Sequence, residues 1–160
     1  MQIGRWAVIV AACVTAGCGW RLQGTEKLPQ IMAVTYVDTK DQYTDFNQAL
    51  RERLAASGSR LVPSGSAATA IVRVHKDESG RRVLSVSARN TPEEYEVYYS
   101  VEYSVVSGGT ELIGRQRLEL KRDYSYDETA VLAKEREQAI LREGLARDLA
   151  SLVMRQLASL

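Results

Sequence analysis

The chain has 160 residues, 45% of them hydrophobic, with 21 basic and 20 acidic side chains and a formal net charge of +1. That length supports one domain with a core of its own, and near-neutrality argues against a nucleic-acid binder, which needs a basic footprint. Both cysteines, Cys13 and Cys18, lie near the start, so the rest of the chain has no disulfide framework.

Met1 to Arg5 carries one positive charge and no acid, and Trp6 to Ala16 is apolar apart from Thr15. A short basic head, an apolar run and small residues at its end make a secretory signal over residues 1–17. The run is too short to cross a bilayer, which needs about 20 apolar residues. Thr15-Ala16-Gly17-Cys18 resembles a bacterial lipobox, in which a diacylglycerol is attached to the cysteine thiol and the signal is cut just before it. Cys18 is therefore the expected lipid-attachment residue, bearing a diacylglycerol and an N-acyl chain. Several chains make a stable anchor where one alone holds only marginally. Gly19 stands where such proteins carry an Asp when they stay in the inner membrane, so the resemblance points to the periplasmic side of the outer membrane. Loss of Arg5 with the signal takes the basic count from 21 to 20, equal to the 20 acids.

Residues 18–30 read as a lipidated tether, interrupted by Gly19, Gly24 and Pro29, with Trp20 and Leu22 suited to the membrane interface. Residues 31–160 form a single domain. Ile31 to Asp38 predicts a strand with Met32, Val34 and Tyr36 on one face. Thr44 to Ser57 predicts a helix, with Thr44 as N-cap, Phe46, Leu50 and Leu54 as its stripe and Gly58 as its stop. Leu61-Val62-Pro63 leads into a polar loop over Ser64 to Ala68.

Ala70 to Lys76 predicts a strand with Val72 and Val74 inward and Arg73 and His75 outward. Asp77-Glu78-Ser79-Gly80 has turn chemistry, and Arg82 to Ala88 alternates again. Arg89-Asn90-Thr91-Pro92 turns the chain into its most regular stretch, Glu94 to Val106. There Tyr95, Val97, Tyr99, Val101, Tyr103 and Val105 fall on one face, and Glu94, Glu96, Tyr98, Ser100, Glu102 and Ser104 on the other. A one-residue slip would exchange the two sets, so the register is well specified. Ser107-Gly108-Gly109-Thr110 is a hairpin signal. The return runs through Leu112, Leu118 and Leu120 to Tyr124, with Gly114 marking a bulge or kink. Asp127 to Ser159 predicts one long helix, with Asp127 and Glu128 at its positive end. Val131, Leu141, Leu145, Leu149, Leu152 and Val153 form its stripe. The order β-α-β-β-β-β-α implies an α+β two-layer sandwich: two helices on one face of a mixed, mostly antiparallel four- to five-stranded sheet.

Chemistry is sparse. His75 is the only histidine, and no cysteine falls in the domain, so neither a histidine-based metal site nor a Ser-His-Asp triad is supported. Glu94, Glu96 and Glu102 repeat at strand spacing and read as a strand surface rather than an acid–base pair. No catalytic residue, metal ligand or cofactor is expected, and the chain is not read as an enzyme. The informative residues are cations. Arg81 and Arg82 fall at the predicted hairpin, Arg89 at the turn into the long strand, and Lys134 in the first turns of the last helix. On a membrane-anchored protein such cations suit phosphorylated lipid.

Cys18-Gly-Trp-Arg-Leu-Gln-Gly24, the Arg89-Asn90…Glu94-Tyr95 junction and Ala133-Lys134-Glu-Arg-Glu137-Gln138 resemble the LptE family of outer-membrane lipopolysaccharide-assembly lipoproteins. The resemblance implies two helices on a sheet, forming a plug in the lumen of the large outer-membrane barrel LptD, which it helps to assemble. It also implies lipopolysaccharide binding, with Arg89 and Lys134 matching the basic residues implicated. Arg81 and Arg82 join them on charge placement alone. The alternative is a periplasm-facing scaffold or adaptor lipoprotein of another outer-membrane complex, sharing anchor and fold without lipopolysaccharide affinity.

Overall fold

The computed structural model describes residues 27–160; the signal, the lipobox and most of the tether lie outside them. Strand β1 (Val34–Asp38) leads into helix α1 (Asp45–Ala56). The helix starts where expected because Thr44 Oγ1 accepts from the Asn47 amide at 3.2 Å, occupying one of its orphan donors. It stops at Gly58, whose φ of +86° only glycine adopts freely. Strands β2 (Arg60–Leu61), β3 (Ala70–Val86), β4 (Pro92–Ser107) and β5 (Thr110–Ser125) follow, and helix α2 (Val131–Ala158) ends the domain. The sheet order is β2-β1-β3-β4-β5. Strand β1 runs parallel to both neighbours, while the β3–β4 and β4–β5 pairs are antiparallel. Two helices on a mixed five-stranded sheet is the expected α+β architecture.

The long strand carries the core. Val97, Tyr99, Val101, Tyr103 and Val105 are all buried on the helix side. Phe46, Leu50 and Leu54 of α1 and Leu145, Leu149, Val153 and Leu157 of α2 close over them. Each such aliphatic side chain removed from water contributes about 2 kcal/mol.

Four expectations need correction. The segment Asp77-Glu78-Ser79-Gly80 does not turn: β3 is one 17-residue strand, paired with β4 from Ile71 to Val86. The regular alternation of β4 supplies a continuous template, and each turn residue finds another use. Asp77 Oδ2 accepts from Thr44 Oγ1 at 2.6 Å. Gly80 lets the Tyr98 ring lie across its backbone, since a Cβ there would sit 2.5 Å from the Tyr98 hydroxyl. Arg81 and Arg82 are therefore mid-strand residues rather than hairpin residues. The strand count holds only because Arg60–Leu61 pairs beside β1, where a plain connection was expected.

In β1 the buried positions are Thr35 and Val37, not Val34 and Tyr36. Thr35 is tolerated there because its hydroxyl donates to the Met32 carbonyl at 2.8 Å and receives the Ser59 hydroxyl at 2.9 Å. The Val34 and Tyr36 side is covered instead by the turn at Gly65–Ala67, whose Gly65 backs onto Tyr36 and Ile71. Finally, of the expected α2 stripe Leu145, Leu149 and Val153 are buried and Leu141 and Leu152 pack half-buried against the core, but Val131 is exposed, as are Leu132 and Ile140 off the stripe. The 28-residue α2 is much longer than the 12-residue α1. Beyond α1, Gln138 ties it to Arg81 of β3 and Tyr124 of β5, and among the described residues no second helix lies beside it.

Candidate functional site

That overhang is where the predicted cations gather. The chain reverses between β3 and β4 through Ser87–Thr91, held by the Ser87 amide donating to the Thr91 carbonyl at 2.8 Å and the Asn90 amide to the Ser87 carbonyl at 2.9 Å. Asn90 takes φ of +61°, a conformation asparagine tolerates better than most residues. This turn leaves Arg89 exposed at the tip.

Arg81 and Arg82 separate. Arg81 pairs with Val97, on the helix side, and Arg82 with Glu96, on the opposite side. The Arg81 guanidinium donates to Gln138 Oε1 at 3.0 Å and lies 4.9 Å from the centre of the Tyr95 ring. Tyr95 stacks on Tyr124 at 5.8 Å and meets Tyr126 edge-on at 5.2 Å, while the Tyr124 hydroxyl donates to the same Gln138 oxygen at 3.4 Å. Gln138 and three tyrosines thus fix the aim of Arg81. Lys134, one turn before Gln138, is only 18% exposed and pairs with Glu137 at 2.9 Å. Its charge also helps hold the Asp127 carboxyl below the ordinary range, after the stronger hydrogen bonding from Thr129.

Arg82 belongs to a different surface. Its Nε lies 2.6 Å from Glu96 Oε1 and its Nη2 3.4 Å from Glu119 Oε1, with the guanidinium over Tyr98. Along that helix-free face run Arg115 with Glu102 at 2.6 Å, Arg117 with Glu119 at 2.8 Å, and Lys121 with Glu96 at 3.6 Å. Hydrogen bonds from Arg115 and Arg117 hold the Glu102 and Glu119 carboxyls below the usual carboxylate range. The structure therefore brings Arg89, Lys134 and Arg81 to one end and commits Arg82 to the polar face.

Among the described residues no cluster of His, Cys, Asp and Glu could hold a metal ion, and no helix is long and apolar enough to cross a membrane. His75 bonds Ser104 Oγ through Nε2 at 2.8 Å, at the bulge between Val74 and Lys76. Sequence reasoning missed the tyrosine platform. Tyr95 read as one more inward residue of a strand, and only the β4–β5 register shows that it faces Tyr124.

The family profile described as LptE, lipopolysaccharide-assembly, matches residues 32–157. The chain belongs to the LptE family. The LPS-assembly lipoprotein LptE of Pectobacterium atrosepticum is 26% identical to it over 152 residues, covering 94% of this chain and 82% of that protein. The LPS-assembly lipoprotein LptE of Yersinia enterocolitica is 26% identical over 150 residues, 92% of this chain and 72% of that protein. The crystal structure of rare lipoprotein B from Shewanella oneidensis has a TM-score of 0.69 and 28% identity over 79% of this chain and 94% of its own. The solution structure of a lipoprotein B from Nitrosomonas europaea, 21% identical, shares the fold with a TM-score of 0.73 over 86% of this chain and 88% of its own. LptE membership makes this a lipopolysaccharide-assembly lipoprotein with a non-enzymatic role.

Proposed function

We propose that acyl chains on Cys18 hold this LptE-family protein at the periplasmic side of the outer membrane. Its domain then seats in the lumen of an LptD-type barrel that it helps to assemble. Arg89 and Lys134, with Arg81 beside them, bind the phosphorylated part of lipopolysaccharide as it passes to the outer leaflet. The observation that carries this reading is the placement of those cations. They occupy the projecting end of the sheet, whereas the N-terminal tether enters beside the start of β3, where Thr35 pairs with Ala70. From Ala70 to Val86 the strand advances about 50 Å, more than the roughly 40–45 Å of a whole bilayer. The charged, helix-free face of the sheet suits the polar interior of a barrel.

The test is co-purification from detergent-solubilised outer membrane. The expected result is one large barrel and bound lipopolysaccharide; with Arg89→Asp and Lys134→Asp the barrel stays and lipopolysaccharide falls several-fold. Recovery of the protein alone, or undiminished lipopolysaccharide on the double variant, would sink the reading.

A further inference from the structure

A cation held by a carboxylate has its charge already balanced, and a cation with no partner must be ordered by its ligand. Among the described residues Arg73 on Asp38, Arg82 on Glu96, Arg115 on Glu102 and Arg142 on Asp45 are of the first kind. Arg89 is of the second: it is exposed at the tip, and only its main-chain amide is bonded. Arg81 is neither. Its Nη1 donates to Gln138 Oε1 at 3.0 Å and its guanidinium lies 4.9 Å from the centre of the Tyr95 ring. No described carboxylate stands within ion-pair distance of it. Among the described residues it is the one cation fixed by neutral groups alone.

The hold comes from three elements. Gln138 of α2 presents its amide oxygen because two donors meet there, Arg81 of β3 and the Tyr124 hydroxyl of β5. Tyr95 of β4 is fixed in turn, stacked on Tyr124 and edge-on to Tyr126. Its hydroxyl bonds no described group, so the ring is what serves Arg81. A guanidinium carries five N–H donors in a rigid fork, and Gln138 occupies one of them. A glutamine oxygen accepts as a carboxylate would but brings no charge, so the fork stays exposed, aimed and fully cationic. That is the form in which it grips two oxygens of a phosphate.

The neighbouring cations are placed differently. Lys134 lies one turn before Gln138 on the same helix face, yet it is 18% exposed and 2.9 Å from Glu137. An anion that reaches it must displace that carboxylate. Arg89 lies beyond the end of β3, and from Arg81 to Val86 alone the strand advances about 16 Å.

We propose that Arg81 is the principal phosphate contact of this chain, ahead of Lys134, and that Gln138 and Tyr95 are its positioning residues. The proposal rests on the function above and deepens it: one phosphate of lipopolysaccharide docks on a guanidinium already aimed by an amide oxygen and an aromatic face.

The experiment measures binding of the purified acylated protein in detergent to intact lipopolysaccharide and to lipopolysaccharide freed of its phosphates. Vesicles of phosphatidylglycerol form a third arm, and melting temperature is read on every variant. Arg81→Gln lowers binding of the intact lipid on the order of tenfold, as loss of a charge-assisted hydrogen bond predicts. That loss vanishes on the dephosphorylated lipid. Lys134→Gln costs less; glutamine is used there because an aspartate would set a carboxylate beside Arg81. Gln138→Glu is the decisive variant. It keeps the acceptor and adds an ion pair, so melting temperature holds or rises while binding of the intact lipid falls several-fold. Tyr95→Leu also weakens binding, and Tyr95→Phe, which retains the ring, restores it. Full binding by Gln138→Glu, or a larger loss from Lys134→Gln than from Arg81→Gln, overturns the proposal. Phosphatidylglycerol bound as tightly as lipopolysaccharide also overturns it, giving the contact to phospholipid. Binding of neither lipopolysaccharide by the unaltered protein overturns the lipopolysaccharide reading itself.

Discussion

Tyr103 is wholly enclosed, and its hydroxyl has no hydrogen-bond partner among the described residues. Burial pushes the phenol up to about 12. An enclosed hydroxyl without a partner has lost its water and gained nothing in return. Tyr103→Phe should therefore raise stability by about 1 kcal/mol, read from the urea midpoint at unchanged slope. A loss of stability would show that the hydroxyl is bonded after all. Asp77 gives a prediction with a pH signature. Burial pushes its carboxyl above the ordinary carboxylate value, opposed by hydrogen bonds from the Thr44 and Tyr99 hydroxyls. With the folded value above the unfolded one, the contribution favours the fold at low pH and is lost as pH rises through the folded value. Asp77→Asn keeps an acceptor for Thr44, so it should match the unaltered protein near pH 3 and exceed it near pH 7. A pH-independent difference between the two proteins would refute the account. At this scale the sequence was a fair guide to identity and a poor one to direction. Arg81 and Arg82 read as one basic pair, yet adjacent strand residues must face opposite ways, and only the loss of the expected turn shows that they are strand residues.

Helix α2 is two structures in one. From Leu145 it is locked into the core, Leu141 packs half-buried at the margin, and before that Gln138 ties it to β3 and β5. Leu145→Ala should cost about 2–5 kcal/mol, whereas Ile140→Ala should stay within about 0.5 kcal/mol. Amide exchange should be faster over residues 132–139 than over 145–157. Equal protection of the two halves would contradict the division. The 3.6-residue stripe foretold the helix but not how much of it is covered, because coverage depends on the length of α1. Strand β4 was legible throughout because its alternation is local and strong. The Asp77–Gly80 segment was misread for the opposite reason: its local turn preference yields to the non-local ladder with β4, a competition invisible in the segment itself. Two-residue β2 has too few positions to show any period.

For the whole molecule, architecture and family were legible, because the order of elements follows from local periodicity and the LptE profile matches residues 32–157. The setting of Arg81 was not, since it depends on Gln138, 57 residues away in sequence and brought alongside by the fold. The anchor is testable directly. Cys18→Ala should abolish labelling by radioactive palmitate and shift the protein out of the outer-membrane fraction. Retained labelling would show that the acylated residue lies elsewhere.

Strand β1 stops pairing with β3 at Arg73. From Lys76 onward β3 therefore offers its outer main-chain donors and acceptors to whatever lies alongside. Strand β5 forms the other margin of the sheet, but it is fenced by Arg115, Arg117, Glu119, Lys121 and Arg122, side chains that discourage a stray strand. From Val83 to Val86 the margin of β3 has no charge at all, only a bulge between Val83 and Ser85. A foreign strand laid there would be held by backbone alone, with little regard for its sequence. On the proposed seating the barrel wall surrounds that margin. The benefit of assembly is then mutual: the barrel shelters an adhesive edge of the lipoprotein while the lipoprotein guides the barrel's closure.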